Sequence, residues 1–82
     1  MWENEIQTFG HYLRIERGLS GHSLEAYIRD IRKLATYLIP LQTPVLDVKE
    51  NQILDFLKDL HSLGIEASTQ SRCLSGIRSF FQ

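Results

Sequence analysis

Apolar residues recur at intervals of three and four in four segments of the chain, the spacing that places side chains on one face of an α-helix. The first segment runs from about Trp2 to Arg17. Gly18 is predicted to end this helix in the left-handed conformation that is common just after helix C-termini. The predicted apolar face consists of Trp2, Ile6, Phe9 and Leu13.

The second segment predicts the longest helix. Ser20 is its expected N-cap, with the hydroxyl accepting from a free backbone N–H of the first turn. The helix is predicted to run to Leu38 or Ile39, before the loop that Pro40 and Pro44 bracket, because a residue preceding proline is pushed out of helical geometry. Its apolar stripe consists of Leu24, Tyr27, Ile28, Ile31, Leu34, Ala35 and Leu38.

The third helix is predicted from Val48 or Lys49 to Leu63. Asp47 and Glu50 have the spacing of a capping box, with Asp in place of the usual Ser or Thr. The predicted inner face is Ile53, Leu54, Leu57 and Leu60, with Phe56 at its flank.

Gly64 is predicted to end the third helix, and Ser68 to cap a fourth helix that continues to the last residue. The polar side chain of Gln70, on the fourth helix, projects toward the core of the bundle, which predicts a slightly loose or wetter end of the bundle. Because the fourth helix has no termination signal, we expect the chain to be a fragment of a longer protein. The apolar stripe is Cys73, Leu74, Ile77, Phe80 and Phe81.

Four helices with short connections and no strand signal predict an all-α, four-helix bundle that forms a single domain over residues 1–82. No apolar run approaches the roughly 20 residues that span a bilayer. A single cysteine excludes an internal disulfide, which favours a reducing, cytoplasmic compartment.

The charges are sorted by helix, although the formal net charge is only −1. The predicted second and fourth helices carry most of the cations, whereas the first and third carry most of the acids. Sorting of this kind favours an anionic partner, although it can also arise by chance. The five cations concerned are Arg29, Arg32, Lys33, Arg72 and Arg78, set against Glu25 and Asp30.

The outer faces of these two helices are basic and rich in serine. At about 100° per residue, His22, Arg29 and Lys33 lie opposite the buried Ile31, and Arg32 lies to one side. On the fourth helix, the residues opposite Ile77 are Ser68, Arg72, Ser75 and Ser79, with Arg78 to one side. Small hydroxyls allow a helix to approach a phosphate backbone, and arginine reaches phosphates or guanine edges. The alternative is a solvated face on a small helical protein–protein interaction module.

Several short motifs follow one another along essentially the whole chain. They are Tyr12-Leu13, residues 16–20 (Glu-Arg-Gly-Leu-Ser), Ser23, Ala26-Tyr27, Asp30 and residues 74–81 (Leu-Ser-Gly-Ile-Arg-Ser-Phe-Phe). In order and spacing they resemble the N-terminal core-binding (SAM-like) domain of tyrosine recombinases and phage integrases, of the Xer type. The chain departs from that family pattern at Gly10, Lys49, Glu66 and Gln70.

The resemblance implies a domain that forms one jaw of a clamp around duplex DNA, with the second and fourth helices toward the major groove. It implies double-stranded DNA and other recombinase subunits as partners, and DNA recombination and integration as the function of the parent protein. No cofactor, metal or membrane is expected. The DNA-binding residues that it nominates are His22, Ser23, Arg29, Arg32, Lys33, Arg72, Ser75, Arg78 and Ser79.

In that family a tyrosine of a separate C-terminal domain attacks the scissile phosphate, and this domain would follow residue 82. None of its motifs occurs here, so we expect the chain to bind DNA without cutting it. Tyr12 and Tyr27 are interpreted as core residues, and Cys73 as inert packing. The histidines and Cys73 share no metal-ligand spacing.

Overall fold

The computed structural model describes residues 2–81, which form four α-helices and no strand. This confirms the predicted all-α, four-helix fold; the predicted end of the last helix at Gln82 lies outside the described residues. The connection between α2 and α3 contains two short 3₁₀ turns, Ile39–Leu41 and Val45–Asp47. The helices are α1 (Trp2–Ile15), α2 (Gly21–Leu38), α3 (Glu50–Ser62) and α4 (Ala67–Phe80).

Helix α2 is the central element, because it packs against each of the other three helices. Ile31, Leu34 and Leu38 are fully buried along its inner stripe, as the periodicity predicts. Leu24, Tyr27 and Ile28, in the N-terminal half of the same stripe, are half-buried.

Helix α1 buries all four residues of its predicted face. The Trp2 ring stacks on the Phe80 ring with 6.0 Å between centroids, and Phe9 meets the same ring edge-on at 5.3 Å. The C-terminal end of α4 therefore packs against α1. This contact accounts for the half-burial of Phe80, whereas Phe81 is 38% exposed.

Helix α3 turns most of its predicted inner face toward the core. Leu60 is buried, and Ile53 and Leu57 are half-buried against the core, as predicted. Leu54 is instead 50% exposed, whereas Phe56, which was predicted at the flank, is only 2% exposed. The centroids of the Phe56 ring and the Tyr37 ring of α2 lie 5.5 Å apart, so α3 is rotated toward its predicted flank.

Two predicted helix ends are confirmed in position. Gly18 and Gly64 both have positive φ, at 59° and 79°, and follow α1 and α3. Ser20 is the N-cap residue of α2, but its hydroxyl makes no capping hydrogen bond and instead donates to the Ser23 hydroxyl at 3.5 Å. The predicted role of that hydroxyl is therefore wrong.

The predicted starts of α3 and α4 are both corrected. The Lys49 N–H donates to the side-chain oxygen of Gln52 at 2.9 Å, whereas Asp47 belongs to the preceding 3₁₀ turn. The start of α4 follows Glu66, two residues before the expected Ser68 cap. Gln70 does not loosen this end, because its side-chain N–H donates to the Ile65 carbonyl at 2.8 Å.

Thr43, between the two 3₁₀ turns, joins three parts of the fold. The Trp2 indole N–H donates to its carbonyl at 3.2 Å, and the Gln52 side-chain amide donates to its hydroxyl at 3.0 Å. The connection is thereby fixed to α1 and to α3. None of the helices within residues 2–81 is both long and apolar enough to cross a lipid bilayer.

Candidate nucleic-acid interface

The polar sides of α2 and α4 are brought together by a close approach of the two helices at Gly76. A Cβ atom at this position would lie 2.9 Å from Cδ1 of Tyr27, which is closer than real contacts allow. Gly76 is buried, and α2 and α4 make the most extensive helix–helix contact of the fold. The half-burial of Tyr27 confirms its interpretation as a packing residue.

Arg72 of α4 forms a two-point ion pair with Asp30 of α2. Nε of Arg72 lies 2.7 Å from Oδ2 and Nη2 lies 3.0 Å from Oδ1, across 42 residues of sequence. Asp30 is fully buried, whereas 35% of the Arg72 side chain is exposed. The charge-assisted hydrogen bonds raise the pKa of Arg72 above its usual value.

Asp30 is the residue of this site whose structural role the sequence did not reveal. The sequence shows it only as an acid among the cations of the second helix and as a residue of the family motif. A signal exists, because Asp30 lies about 100° from Ile31, at the edge of the buried stripe. The pairing itself could not be predicted, because its partner belongs to another helix.

Cys73 marks the point where these charges converge. Its thiol is fully buried, and burial raises its pKa to about 11, with the Asp30 carboxylate contributing in the same direction. The charges of Lys33 and Arg72 act in the opposite direction. The Asp30–Arg72 ion pair therefore lies at the α2–α4 contact, Lys33 follows Asp30 by about one helical turn, and the predicted burial of Cys73 is confirmed.

Arg29 and Lys33 line a shallow groove of about 490 Å³ between α2 and α3. Arg29 is exposed and Lys33 is half-buried, and within residues 2–81 neither forms an ion pair. Asp59 of α3 lines the same groove, and Glu25, one turn before Arg29 on α2, lines a neighbouring groove with Arg29. The two cations thus remain available to an anion on the outer side of α2.

Arg32 is directed toward α1 and not toward α4. Its guanidinium binds the Glu3 carboxylate through two hydrogen bonds of 2.6 and 3.0 Å, and half of each side chain is exposed. The hydrogen bonds from Arg32 lower the pKa of Glu3 below its usual value. This placement separates Arg32 from Arg72, because Asp30 and Arg32 lie on opposite flanks of α2.

The predicted residues of α4 do not all share one surface. Arg78 is exposed, but it lies about 160° around the helix from the Gly76 contact and so faces away from α2. The Ser79 hydroxyl oxygen is shielded from solvent and has no hydrogen-bond partner among the described residues. The expectation that Ser79 faces outward is therefore corrected, since this end of α4 packs against α1.

The remaining nominated residues lie on open surface. His22 and Ser23 are exposed in the first turn of α2, and Ser75 is exposed on α4, one turn from Arg72. DNA contact by any of these residues stays a prediction. Tyr12 is 38% exposed, so its interpretation as a core residue is wrong in part. Within the described chain, no three His, Cys, Asp or Glu side chains lie together as metal ligands would.

Known proteins similar to this chain come from one family. Residues 6–82 match the family described as "Phage integrase, N-terminal SAM-like domain". The chain is 40% identical over 84 residues to a tyrosine recombinase XerD of Oceanobacillus iheyensis, covering all of the chain and 28% of that protein. No solved structure gives a significant match.

Two further relatives agree with this match. A tyrosine recombinase XerD of Chlorobaculum tepidum is 33% identical over 79 residues, which cover 96% of the chain and 26% of the relative. A tyrosine recombinase XerC of Stutzerimonas stutzeri is 32% identical over 81 residues, which cover 98% and 27% respectively. The chain thus spans about a quarter of the length of the curated relatives that it matches.

Proposed function

Because the chain belongs to the family of phage integrase N-terminal SAM-like domains, we propose that it binds duplex DNA and serves as the DNA-binding domain of a site-specific tyrosine recombinase. The observation that carries this proposal is that Arg29 and Lys33 lie together on the outer side of α2 and form no ion pair among residues 2–81. Cations grouped in this way are the electrostatic signature of a phosphate-binding face.

The proposed contacts fall into three groups. Arg29 and Lys33, which are free of ion pairs among residues 2–81, bind phosphates. The small hydroxyls of Ser23 and Ser75 let the helices approach the backbone and donate hydrogen bonds to it. His22 adds a contact at the start of α2, where backbone N–H groups of the first turn favour an anion.

The relatives are tyrosine recombinases about four times as long as this chain, and they suggest the role of the larger protein. We propose that the parent protein exchanges DNA strands as part of a multimer, and that DNA cleavage belongs to another part of it. On this proposal the present chain supplies binding only, in the cytoplasm, where the DNA of a bacterial cell lies. We therefore expect the isolated chain to leave a supercoiled plasmid uncut, even at protein concentrations that saturate the plasmid.

The proposal is tested by fluorescence-anisotropy titration of a labelled duplex at several salt concentrations. The affinity is expected to fall steeply with salt, because each phosphate contact releases counterions. Arg29→Gln and Lys33→Gln should each reduce the slope of log K against log salt by about 0.9. Lys58→Gln is the matched control, since it removes the same charge from an exposed position on α3.

Two results would contradict the proposal. The first is the absence of salt-dependent DNA binding at high protein concentration, which would favour a protein–protein interaction module. The second is an equal loss of slope in all three variants, because that would reflect net charge and not a defined face of the domain.

A further inference from the structure

We propose that Asp30 is a positioning residue that aims the guanidinium of Arg72 at two adjacent hydrogen-bond acceptors on a base edge. Guanine offers this arrangement in the major groove through O6 and N7. The inference rests on the proposed DNA-binding function and goes further, because it assigns Arg72 to base recognition and not to phosphate binding. Arg72 would be the group that touches DNA, and Asp30 would act through it.

The ion pair occupies only one edge of the guanidinium. Asp30 accepts from Nε and Nη2 of Arg72. The outer edge, formed by Nη1 and the second hydrogen of Nη2, carries two parallel N–H groups that match a paired acceptor. Within residues 2–81, Nη1 donates no hydrogen bond, and 35% of the side chain is exposed.

The orientation of that outer edge is fixed at both ends of the side chain. Asp30 is fully buried, so water does not compete for its two oxygens. The backbone of α4 is held against α2 by Cys73, which is also fully buried, and by the close approach at Gly76. Breaking a buried ion pair by removing one partner is costly, so the guanidinium keeps its direction when DNA approaches.

The charge balance favours a base edge over a phosphate. Asp30 cancels the charge of Arg72, so the pair as a whole adds little to the attraction for the DNA backbone. Lys33 lies in the same region without an ion-pair partner among the described residues and is better suited to a phosphate. Hydrogen bonds to a base edge depend instead on direction, which the pair supplies.

The first part of the test uses the unmodified chain. A duplex is selected from a random library by binding to the 82-residue chain, and it is then rebuilt with 7-deazaguanine, which lacks the N7 acceptor. The affinity for the rebuilt duplex is expected to be about tenfold lower, within the range that one two-point contact to a base supplies. Equal affinity for the two duplexes, or a library without enrichment, would overturn the proposal and leave Arg72 as a phosphate contact.

The second part isolates the role of Asp30. In Asp30→Asn the amide nitrogen cannot accept a hydrogen bond, so the guanidinium loses one anchor and its plane is released. The ratio of the affinity for the guanine duplex to the affinity for the 7-deazaguanine duplex is expected to fall from about 10 toward 1. The slope of log K against log salt is expected to be retained, or to rise by up to about 0.9 because Arg72 is no longer neutralised. Lys33→Gln is the control and should lower the slope while leaving the ratio unchanged.

Thermal melting followed by circular dichroism shows whether Asp30→Asn is folded at the assay temperature. Arg72→Lys keeps the charge but lacks the planar, forked donor arrangement, so it tests the same point if Asp30→Asn is unfolded. A folded variant of either kind that retains the tenfold ratio contradicts the positioning role. If the unmodified chain binds no duplex in a salt-dependent way, the proposed function itself fails, which is a different outcome from an unchanged ratio.

Discussion

At the scale of single residues, the shape of this domain depends on two glycines whose neighbours lie very close. A Cβ on Gly76 would meet Cδ1 of Tyr27 at 2.9 Å, and one on Gly10 would meet the end of Ile28 at 3.2 Å. Ile28 is a flexible aliphatic chain that can shift, whereas the Tyr27 ring is rigid and packed against the core. A side chain is therefore less easily accommodated at Gly76 than at Gly10.

We expect Gly76→Ala to lower the free energy of unfolding by about 1–3 kcal/mol, because overpacking displaces the Tyr27 ring or separates α2 from α4. Urea denaturation followed by circular dichroism measures the change. Gly21→Ala is the matched control, since its Cβ would meet no atom within 4 Å, and alanine there should be neutral or stabilising by up to about 1 kcal/mol. Equal effects of the two substitutions would argue against close packing at Gly76.

At the scale of elements, the connection between α2 and α3 is held by hydrogen bonds and less by apolar contact. Its two 3₁₀ turns expose Leu41 and Leu46, whereas Thr43 is 8% exposed. The Thr43 carbonyl accepts from Trp2, and its hydroxyl accepts from the Gln52 side chain. Gln52 in turn accepts from the Lys49 N–H at the start of α3. One threonine thus orients the connection against two helices.

Thr43→Val removes the hydroxyl without changing the shape of the side chain. We expect a loss of about 1–2 kcal/mol in the free energy of unfolding, because the partly buried Gln52 amide loses its acceptor. Differential scanning calorimetry gives the change in melting temperature. Thr36→Val makes the same chemical change at an exposed position of α2 and should have little effect. A similar result for both variants would show that the hydroxyl of Thr43 contributes nothing to the fold.

At the scale of the whole molecule, opposite charges are separated by helix, although the net charge is close to zero. Arg29 and Lys33 lie on the outer side of α2, and Arg32, which lines the same groove, is neutralised by Glu3 of α1. A small net charge therefore conceals a face that is locally positive, and that face carries the proposed DNA contacts. The Glu3–Arg32 pair limits how far it extends.

Glu3→Gln is expected to raise the affinity for duplex DNA at low salt, because it releases Arg32 from its ion pair. The slope of log K against log salt should increase by up to about 0.9, the contribution of one further phosphate contact. Glu50→Gln removes an equal charge from an exposed position in the first turn of α3 and serves as the control. An identical increase in both variants would indicate a general effect of net charge.

Much of the fold follows from short-range information in the sequence. The four helices, the turns at Gly18 and Gly64 and the buried face of α1 are set by local periodicity and backbone conformation. Such features involve residues within one or two turns of each other, so they can be predicted without knowing how the helices cross. The motifs of the first turn and of the last helix, taken together, also predicted the family.

The arrangement of the site depended on tertiary structure. A helical wheel places Arg72 and Ser79 on polar faces and Asp30 at the edge of a buried stripe, but only the crossing of α2 and α4 makes Asp30 a buried partner of Arg72, and only the contact with α1 shields Ser79. The same applies to α3, where the packing of Phe56 against Tyr37 of another helix is not contained in a local pattern. The sequence by itself determined the approximate buried face of each helix, because that face depends on a local repeat of three and four residues. Asp30 and Arg72 are 42 residues apart along the chain, so their pairing depends on the packing of α2 against α4, which no local pattern contains.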